Sequence, residues 1–342
     1  MQVQQRKRQR GFRDVTHMPA RWLGLLGALL LAGGTAEAAE PTTAPGETTV
    51  EVIGAYKAGQ QLLLTRVMDM EVSRANADDD AGSVLHKSTI TLEIPLRVSK
   101  SDTPGEVAVQ LSVRRMAMKS ESGGRVQEID SDKPETLTDG GARGLTLAGA
   151  RFHAVLDQAG KVKSITPDDE FLNGPHLAER PPDAQAREIE GLGAMLTFYL
   201  ENPWAYVPNR SVAVGDSWSV LRPTYMVPFL GIRAGDDGPT EMPKEDMECT
   251  LDRVETLTPR GSAAVIQVAG KIKFPKGFDM DQDVTVTGTV RLDMVTRQLR
   301  EHQMTVTTAK GNTTVRVTAT TTLLPLPTRQ PASAPAAAPA KQ

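Results

Sequence analysis

The stretch from Ser88 to Ser99 alternates between apolar and polar side chains, and this limits what it can fold into. Apolar residues occupy every second position and mostly polar residues lie between them, namely Ile90, Leu92, Ile94, Leu96 and Val98 against Thr91, Glu93 and Arg97. A period of two matches a β-strand, whose successive side chains point to opposite faces. The stretch therefore predicts a strand with one buried and one solvated face, which is common in antiparallel sheets.

Segments of this kind recur along the chain, separated by short runs of turn-forming residues. Glu106–Lys119 repeats the alternation but changes phase near Arg114-Arg115, which predicts a β-bulge there. The predicted strands and hairpins are Thr49–Ile53, Gln61–Val72, Ser88–Ser99, Glu106–Lys119, Arg151–Ile165, Arg210–Leu221, Asp246–Leu257, Ser262–Phe274, Val284–Val295, Gln298–Thr308 and Thr313–Leu324. With roughly ten strands and short connections, the predicted fold class is mainly β (α+β) with antiparallel pairing.

One central helix is predicted over residues 183–200. It starts at Pro182-Asp183 and places apolar residues at helical spacing, at Ile189, Leu192, Leu196 and Tyr199. A proline disfavours helical geometry in the residue before it, so the helix should stop at Asn202-Pro203.

Large aromatic side chains collect directly after this helix, in a chain that is only 4% aromatic. They are Trp204, Tyr206, Trp218 and Tyr225. Large rings dominate the energetics of cores and interfaces, so the group is either the centre of the core or the wall of a ligand pocket. Packing in a core is the commoner role of a buried ring. These four residues are the candidate ligand-binding or core positions.

The first 38 residues have the pattern of a secretory signal peptide. A basic segment precedes the apolar run 23–32, and cleavage is expected after the small-residue sequence Ala36-Glu37-Ala38. The apolar run is short for a bilayer span, and retention as an N-terminal anchor is the alternative. Residues 39–48 are predicted to be a linker and residues 325–342 a disordered Pro/Ala tail. The protein is therefore expected to be exported, to the periplasm or the extracellular space.

Cleavage would also change the charge of the protein. It removes six basic and two acidic residues, which leaves 33 basic and 40 acidic residues in the mature chain. An acidic chain lacks the basic surface that nucleic acids and anionic membranes require, so neither is an expected partner. No later segment is long and apolar enough to be a transmembrane span.

Motifs for catalysis and metal binding are incomplete. Gly215-Asp216-Ser217 is similar to the nucleophile block of Gly-Asp-Ser-Leu esterases, but none of the four histidines after residue 38 follows an aspartate by three positions. The carboxylates of 279–283 fail the calcium-loop pattern, because its glycine and closing glutamate fall at Val284 and Val290. The single cysteine, Cys249, excludes an intramolecular disulfide and is interpreted as a small buried side chain. We therefore predict no cofactor and no metal site.

Two pairs of short segments suggest an internal repeat. Tyr56–Leu62 resembles Val212–Trp218 in the position of a glycine and a large apolar residue, and Leu156–Lys161 resembles Leu292–Arg297. Asp and Gly suit tight turns, so unrelated hairpins can also share this chemistry. The β-rich domain is predicted over residues 49–324, with β repeats at 49–180 and 203–324 joined by the helix 183–200 as one interpretation.

The same residues carry a resemblance to known proteins. The strand start Val212–Trp218, with the pattern V-x-V-G-D-S-W, and the L-D-x-x-G-K-V hairpin at Leu156–Val162 resemble uncharacterised secreted β-rich families of bacteria. Such families occur in planctomycetes and Bacteroidetes and are loosely similar to lipoprotein-carrier half-barrel proteins. The resemblance covers residues 50–325 loosely and implies a curved antiparallel sheet or half-barrel with helices on its concave side. It carries over no catalytic or binding residue.

Three functions are compatible with these features. The favoured hypothesis is a non-catalytic exported or envelope protein that binds a hydrophobic ligand or a partner protein on a curved β-sheet, with Met195 and Met226 as adaptable contacts. The alternative is an envelope-acting hydrolase whose site is assembled across strands. The third is a structural module of a larger assembly, tethered by the Pro/Ala tail.

Overall fold

The computed structural model describes most of the chain between residues 49 and 326. The described residues are 49–76, 79–136, 148–174, 177, 181–224, 243–257, 261–275 and 284–326. The predicted signal peptide and linker, residues 327–342 of the predicted tail, the segment 279–283, Tyr225 and Met226 lie outside them. Within these ranges, no helix combines the length and the apolar composition needed to cross a membrane.

Strands account for most of the described residues, which confirms the predicted mainly β class. The described strands are β1 (Val50–Val52), β2 (Gln61–Asn76), β3 (Asp79–Lys100), β4 (Glu106–Ser112), β5 (Arg115–Ser122), β6 (Arg125–Asp130), β7 (Arg151–Asp157), β8 (Val162–Pro167), β9 (Arg210–Val212), β10 (Ser217–Pro223), β11 (Lys244–Thr256), β12 (Ser262–Lys273), β13 (Val284–Asp293), β14 (Gln298–Lys310) and β15 (Thr313–Pro325). The helices whose bounds are described are α1 (Asp169–Leu172) and α2 (Pro182–Glu201), with 3-10 turns at Pro134–Thr136 and Asn202–Trp204.

The structure describes more strands than the roughly ten that the spacing of apolar segments predicts. The predicted strand Arg210–Leu221 divides into β9 and β10 at a turn containing Gly215. β6 is not predictable from alternation, because its first four residues are exposed and its apolar residues are few. The last strand also extends to Pro325, one residue into the predicted tail.

The change of phase near Arg114-Arg115 is a bulge, as predicted. β3 pairs first with β4 and then with β5, and the register moves by one residue between the pairs Leu96–Leu111 and Glu93–Arg115. Beyond the bulge the outer neighbours differ, because β4 pairs with β7 while β5 pairs with β6. The bulge therefore separates the main path of the sheet from a short branch.

Thirteen of the described strands form one antiparallel sheet that does not close. Its order is β10-β11-β12-β13-β14-β15-β2-β3-β4-β7-β8, with β5 and β6 as the branch, while β1 and β9 pair with each other separately. The sheet thus consists of two meanders that meet where β15 pairs with β2.

The sheet curves around α2 as a half-barrel. β10 and β8 end a path of eleven strands, and in a flat sheet they would stand about 48 Å apart. Both edges nevertheless bond to the end of the same helix. The N–H group of Val162 in β8 donates to Glu201 at 2.8 Å, and Arg222 in β10 donates to Asn202 at 2.6 Å. Adjacent residues can contact both edges only if the sheet wraps around them, so the predicted curved sheet with one central helix is confirmed.

Helix α2 packs its apolar side chains into the concave side of the sheet. Its buried residues include Leu192, Leu196, Phe198, Tyr199 and Leu200, which belong to the main core. The predicted end is confirmed within one residue, although the cause differs from the one expected. Asn202 keeps helical angles (φ −55°, ψ −38°), and the α-helical ladder stops because Pro203 has no N–H group to donate. The chain continues as the 3-10 turn Asn202–Trp204.

The two segments that suggested a repeat share a turn geometry. Gly59 and Gly215 both have left-handed backbone angles, with φ of 91° and 95°. The side-chain oxygen of the next residue, Gln60 or Asp216, accepts the N–H group of the residue three positions earlier at 2.8 Å in both turns. The turns lead into β2 and β10, the first strands of the two meanders. Two β repeats with the boundaries given above remain a proposal.

Candidate functional site

A group of polar side chains, all buried except Arg222, whose side chain is 16% exposed, lies on the concave side of the sheet at the end of α2. We call it the polar cluster, and it consists of Arg66, Asn202, Tyr206, Arg222, Glu245 and His302. Strands β2, β10, β11 and β14 each contribute one residue, and the chain after α2 contributes Asn202 and Tyr206. Burying a polar group is unfavourable unless it is hydrogen-bonded, so a group of this size inside a core requires specific partners.

Glu245 lies at the centre of the polar cluster and is 4% exposed. Its Oε2 atom accepts the Tyr206 hydroxyl at 2.6 Å and Nε of Arg222 at 2.7 Å. Its Oε1 atom accepts the Thr224 hydroxyl at 2.7 Å. Hydrogen bonds that involve a charged group are the strong ones, and these three offset the loss of water around the carboxyl group.

Arg222 links this carboxyl group to the end of the helix. Its Nη2 atom donates to Oδ1 of Asn202 at 2.6 Å and to the Tyr206 hydroxyl at 2.8 Å. The guanidinium also lies over the Tyr206 ring, 4.6 Å from its centre. Burial raises the pKa of Tyr206 well above its ordinary value. The phenol therefore keeps its proton, donating to Glu245 while accepting from Arg222.

The contacts of Asn202 determine which nitrogen of His302 carries the proton. Arg222 can only donate, so the Asn202 atom that faces it is the amide oxygen. The amide nitrogen of Asn202 then faces Nδ1 of His302 at 3.0 Å and donates to it. Nδ1 is the acceptor nitrogen of the ring, so the proton of a neutral imidazole lies on Nε2.

His302 is neutral and leaves this Nε2–H group without an acceptor in the described part of the structure. The residue is 2% exposed, and burial followed by the positive charges of Arg222 and Arg66 lowers the pKa of His302 well below its ordinary value. Nε2 is buried and has no hydrogen-bond partner among the described residues. A buried donor without a partner destabilises a fold by about 1–3 kcal/mol, which makes this position a candidate contact for a bound molecule.

Arg66 brings a second guanidinium group to the polar cluster, from β2. It donates from Nη1 to the Thr321 hydroxyl at 3.2 Å. It also lies 5.1 Å from the ring centre of Phe198 and 5.2 Å from that of Tyr199, both on α2. Burial lowers the pKa of Arg66 from its ordinary value. The two rings thus hold a cationic group beside the end of the helix.

The polar cluster borders a small space that we call the gap. Its other walls are apolar and come from Phe198 on α2 and from β13, β14 and β15, through Val286, Met304, Val306 and Ala319. The gap has a volume of about 20 Å³, which is room for roughly one water molecule. The site is therefore two-sided, with hydrogen-bonding groups at one end and an apolar wall opposite.

The structure brings only one of the four predicted aromatic residues to the gap. Tyr206 belongs to the polar cluster, whereas Trp204 packs edge-on against Tyr56 with ring centres 5.2 Å apart. Trp218 is opposite Cys249 in the β10–β11 pair. Trp204, Tyr206 and Trp218 are all buried core residues, and Tyr225 lies outside the described residues. A ligand-binding role for the four residues remains a prediction.

Five residues of the polar cluster were not predicted from the sequence, although a signal for them exists. Each strand residue takes a position in the inward-facing phase of its strand, with at least one apolar residue two positions away. Arg66 stands between Leu64 and Met68, and Glu245 precedes Met247 by two positions. These positions can be recognised because a polar residue stands where the alternation of the strand predicts an apolar one. The sequence does not show which of them meet, because the register and curvature of the sheet decide that.

Neither Ser217 nor Cys249 has the surroundings of a catalytic nucleophile. The Ser217 hydroxyl bonds to the Thr250 hydroxyl at 2.8 Å, whereas a serine nucleophile needs an adjacent base. Burial raises the pKa of Cys249 to about 12, so this thiol does not provide a thiolate. No group of three His, Cys, Asp or Glu side chains in the described ranges could hold a metal ion.

No protein-family model and no curated protein matches the chain. A solved structure of lipid–protein interactions in lipovitellin has a TM-score of 0.28 and 10% sequence identity, covering 81% of this chain and 26% of that one. This chain thus spans about a quarter of that lipovitellin chain. The structure of DynF from the dynemicin biosynthesis pathway of Micromonospora chersina has a TM-score of 0.17 and 8% identity, covering 84% and 90% of the two chains. Similarities this weak carry no argument about function, and the resemblance to uncharacterised secreted families is not confirmed.

Proposed function

We propose that this protein is a non-catalytic binding protein that takes a small hydrophobic molecule into the gap. The observation that supports this most directly is the two-sided lining of the gap, with apolar side chains of β13, β14 and β15 opposite the polar cluster. Small-molecule sites are concave and mostly apolar, with a few placed polar groups that fix orientation. The polar cluster is buried rather than spread over an exposed face, which favours a small molecule over a partner protein.

The width of the sheet supports the same proposal. A closed barrel of eight strands is filled by its own side chains, and wider barrels enclose cavities. Here eleven strands curve without closing, so their side chains alone do not fill the concave side. Helix α2 occupies much of that space, and the gap lies where the helix ends. The fold therefore leaves room for a further apolar group at this position.

A ligand larger than water requires side chains to move. Met304 and Phe198 form part of the apolar wall, and methionine changes rotamer readily because it is unbranched. We place the ligand against this wall, with the gap enlarged by these two side chains. The proposal includes export, because the signal peptide predicted over residues 1–38 would deliver the mature chain to the periplasm or the extracellular space.

Native mass spectrometry of residues 39–342, purified gently from its own envelope fraction, tests the proposal. We expect a mass above that of the bare chain, which organic solvent extracts. Ala319→Met should abolish it, because Ala319 is a buried residue of the apolar wall and a longer side chain would fill the gap.

The matched control is Ala309→Met, which adds the same side chain at an exposed position of β14. It should keep the bound mass, and circular dichroism should show both variants folded. A bare mass for the wild type, or a bound mass that survives Ala319→Met in a folded protein, contradicts binding in the gap.

A further inference from the structure

We propose that the ligand carries an acidic oxygen group, a carboxylate or a phosphate, whose oxygen accepts the Nε2–H group of His302 beside Arg222. This inference rests on the proposed function and adds the chemical class of the ligand. It starts from the polar end of the gap, where hydrogen-bonding groups converge, rather than from the apolar wall.

His302 offers a hydrogen-bond donor at its Nε2 atom. Arg222 orients the Asn202 amide, the amide donates to Nδ1, and the remaining proton of the ring lies on Nε2. This atom is buried and has no acceptor among the described residues, and His302 is one of the residues that line the gap. A molecule that completes the site must therefore present an acceptor atom at this point, and an alkyl group cannot do so.

Basic residues outnumber acidic ones around the gap. Arg66 and Arg222, which carry guanidinium groups, both line the gap, together with the single acidic residue Glu245. Oxygen atoms of carboxylates and phosphates are the acceptors that bond most strongly to such donors. The positive surroundings also oppose protonation of His302, in agreement with the lowered pKa of this residue. An anionic oxygen suits this position better than a neutral one.

The size of the gap limits which part of the ligand it can hold. The gap has a volume of about 20 Å³, which matches one oxygen-sized group. The apolar walls from β13, β14 and β15 then face the remainder of the molecule, so the inferred ligand is an acid on a hydrocarbon chain. The acid group is fixed by the polar cluster, and the chain lies against Val286, Met304 and Val306.

The test compares three probes of equal chain length, namely dodecanoate, dodecyl phosphate and dodecanol. Binding is measured by isothermal titration on the mature chain after its bound molecules have been extracted. We expect at least one acid to bind roughly tenfold or more tightly than the alcohol, since a hydrogen bond to a charged group exceeds one to a neutral group by about this factor. The stronger of the two acids identifies the head group.

His302→Leu should remove most of the preference for the acid, because the acid loses a hydrogen bond to a charged group while dodecanol loses only a weaker, neutral one. His153→Leu is the matched control, since His153 is an exposed histidine of β7, and it should keep the preference. If His302→Leu does not fold, the ring ¹⁵N signals of His302 in the wild type replace it. Addition of the acid should shift Nε2, and addition of the alcohol should shift it less.

Two failures are distinguishable. Equal binding of acid and alcohol, or an Nε2 signal that the acid does not shift, overturns the head-group inference and leaves the proposed function standing. A wild type that binds none of the three probes overturns both. A water molecule as the only occupant of the gap would give this second result.

Discussion

At the scale of single residues, the polar cluster decides which side chains carry charge. Arg222 and Glu245 form an ion pair with N–O separation of 2.7 Å at the centre. His302 stays neutral, because burial and the nearby guanidinium groups both disfavour its protonated form. The chain therefore holds a titratable group in its core that is stable in only one protonation state.

This makes the stability of the fold depend on pH. The pKa of His302 is near 6.5 in an unfolded chain and well below that value in the folded protein. The stability that the neutral ring contributes is thus present above this pH and is lost as the pH falls towards the folded pKa. Between the two values, the free energy of unfolding should decrease by about 1.4 kcal/mol per pH unit from this group.

Urea unfolding on both sides of pH 6.5 measures this dependence. His302→Gln should have a smaller pH slope than the wild type, because glutamine does not titrate. His153→Gln, at an exposed site, should follow the wild type. Identical slopes for the wild type and His302→Gln would show that other groups cause the acid sensitivity.

Little of the polar cluster could be predicted at this scale. Tyr206 was found because large rings are rare in this chain, but its partner Glu245 follows it by 39 positions and Arg66 precedes it by a larger distance. Alternation assigns a side chain to the inner or outer face. It does not assign partners, since these depend on which strands face each other across the concave side.

At the scale of elements, Trp204 joins the 3-10 turn after α2 to the β7–β8 hairpin, because its ring packs against the hairpin turn. The ring lies against Gly160 in the hairpin turn and against Gly54 in the chain before β2. A Cβ atom at Gly160 would stand 2.5 Å from Cδ1 of Trp204, closer than real contacts allow. Gly160 also has a left-handed backbone with φ of 79°, which other residues rarely adopt.

Gly160→Ala should therefore lower the free energy of unfolding by about 2–5 kcal/mol, from backbone strain together with the clash. Gly59→Ala is the control, since Gly59 has φ of 91° but open space around its Cα. It should lose only about 1–2 kcal/mol, the backbone contribution. Equal losses in chemical denaturation would mean that Trp204 tolerates the methyl group.

The elements themselves were largely predictable, and the exceptions have physical causes. The ends of α2 and the hairpin turn at Asp157–Gly160 follow from proline and glycine chemistry, which acts locally. Strand β6 was missed because a branch strand with few buried side chains needs no apolar alternation. The division of 210–221 was missed because both sides of the Gly215 turn have strand composition.

At the scale of the whole molecule, the curvature of the sheet is fixed where its two edges contact the end of α2. On the β8 side, Oε1 of Glu201 accepts the N–H group of Val162, which starts that strand. On the β10 side, Asn202 accepts from Arg222. Contacts between α2 and β8 hold the helix along this edge. Hydrogen bonds to two adjacent residues therefore tie both edges of the half-barrel to the end of α2.

Glu201→Ala should release the β8 edge, because the Val162 amide loses its acceptor. We expect faster hydrogen exchange over Val162–Pro167 and a loss of about 1–3 kcal/mol in the free energy of unfolding. Glu201→Gln keeps an acceptor oxygen and should exchange nearly as slowly as the wild type. Unchanged exchange in Glu201→Ala would show that side-chain packing alone holds this edge.

The pairing of β15 with β2 has a consequence for how the chain reaches its native state. The seam lies in the interior of the sheet, yet it joins the first long strand of one meander to the last strand of the other. Every residue between them must be available before the seam can form, so this contact carries a large loop-closure entropy and is expected to form late. Until then β2 presents an unpaired edge, which is the kind of surface on which partly folded chains associate. During folding, β15 therefore competes with strands of neighbouring chains for pairing with the free edge of β2.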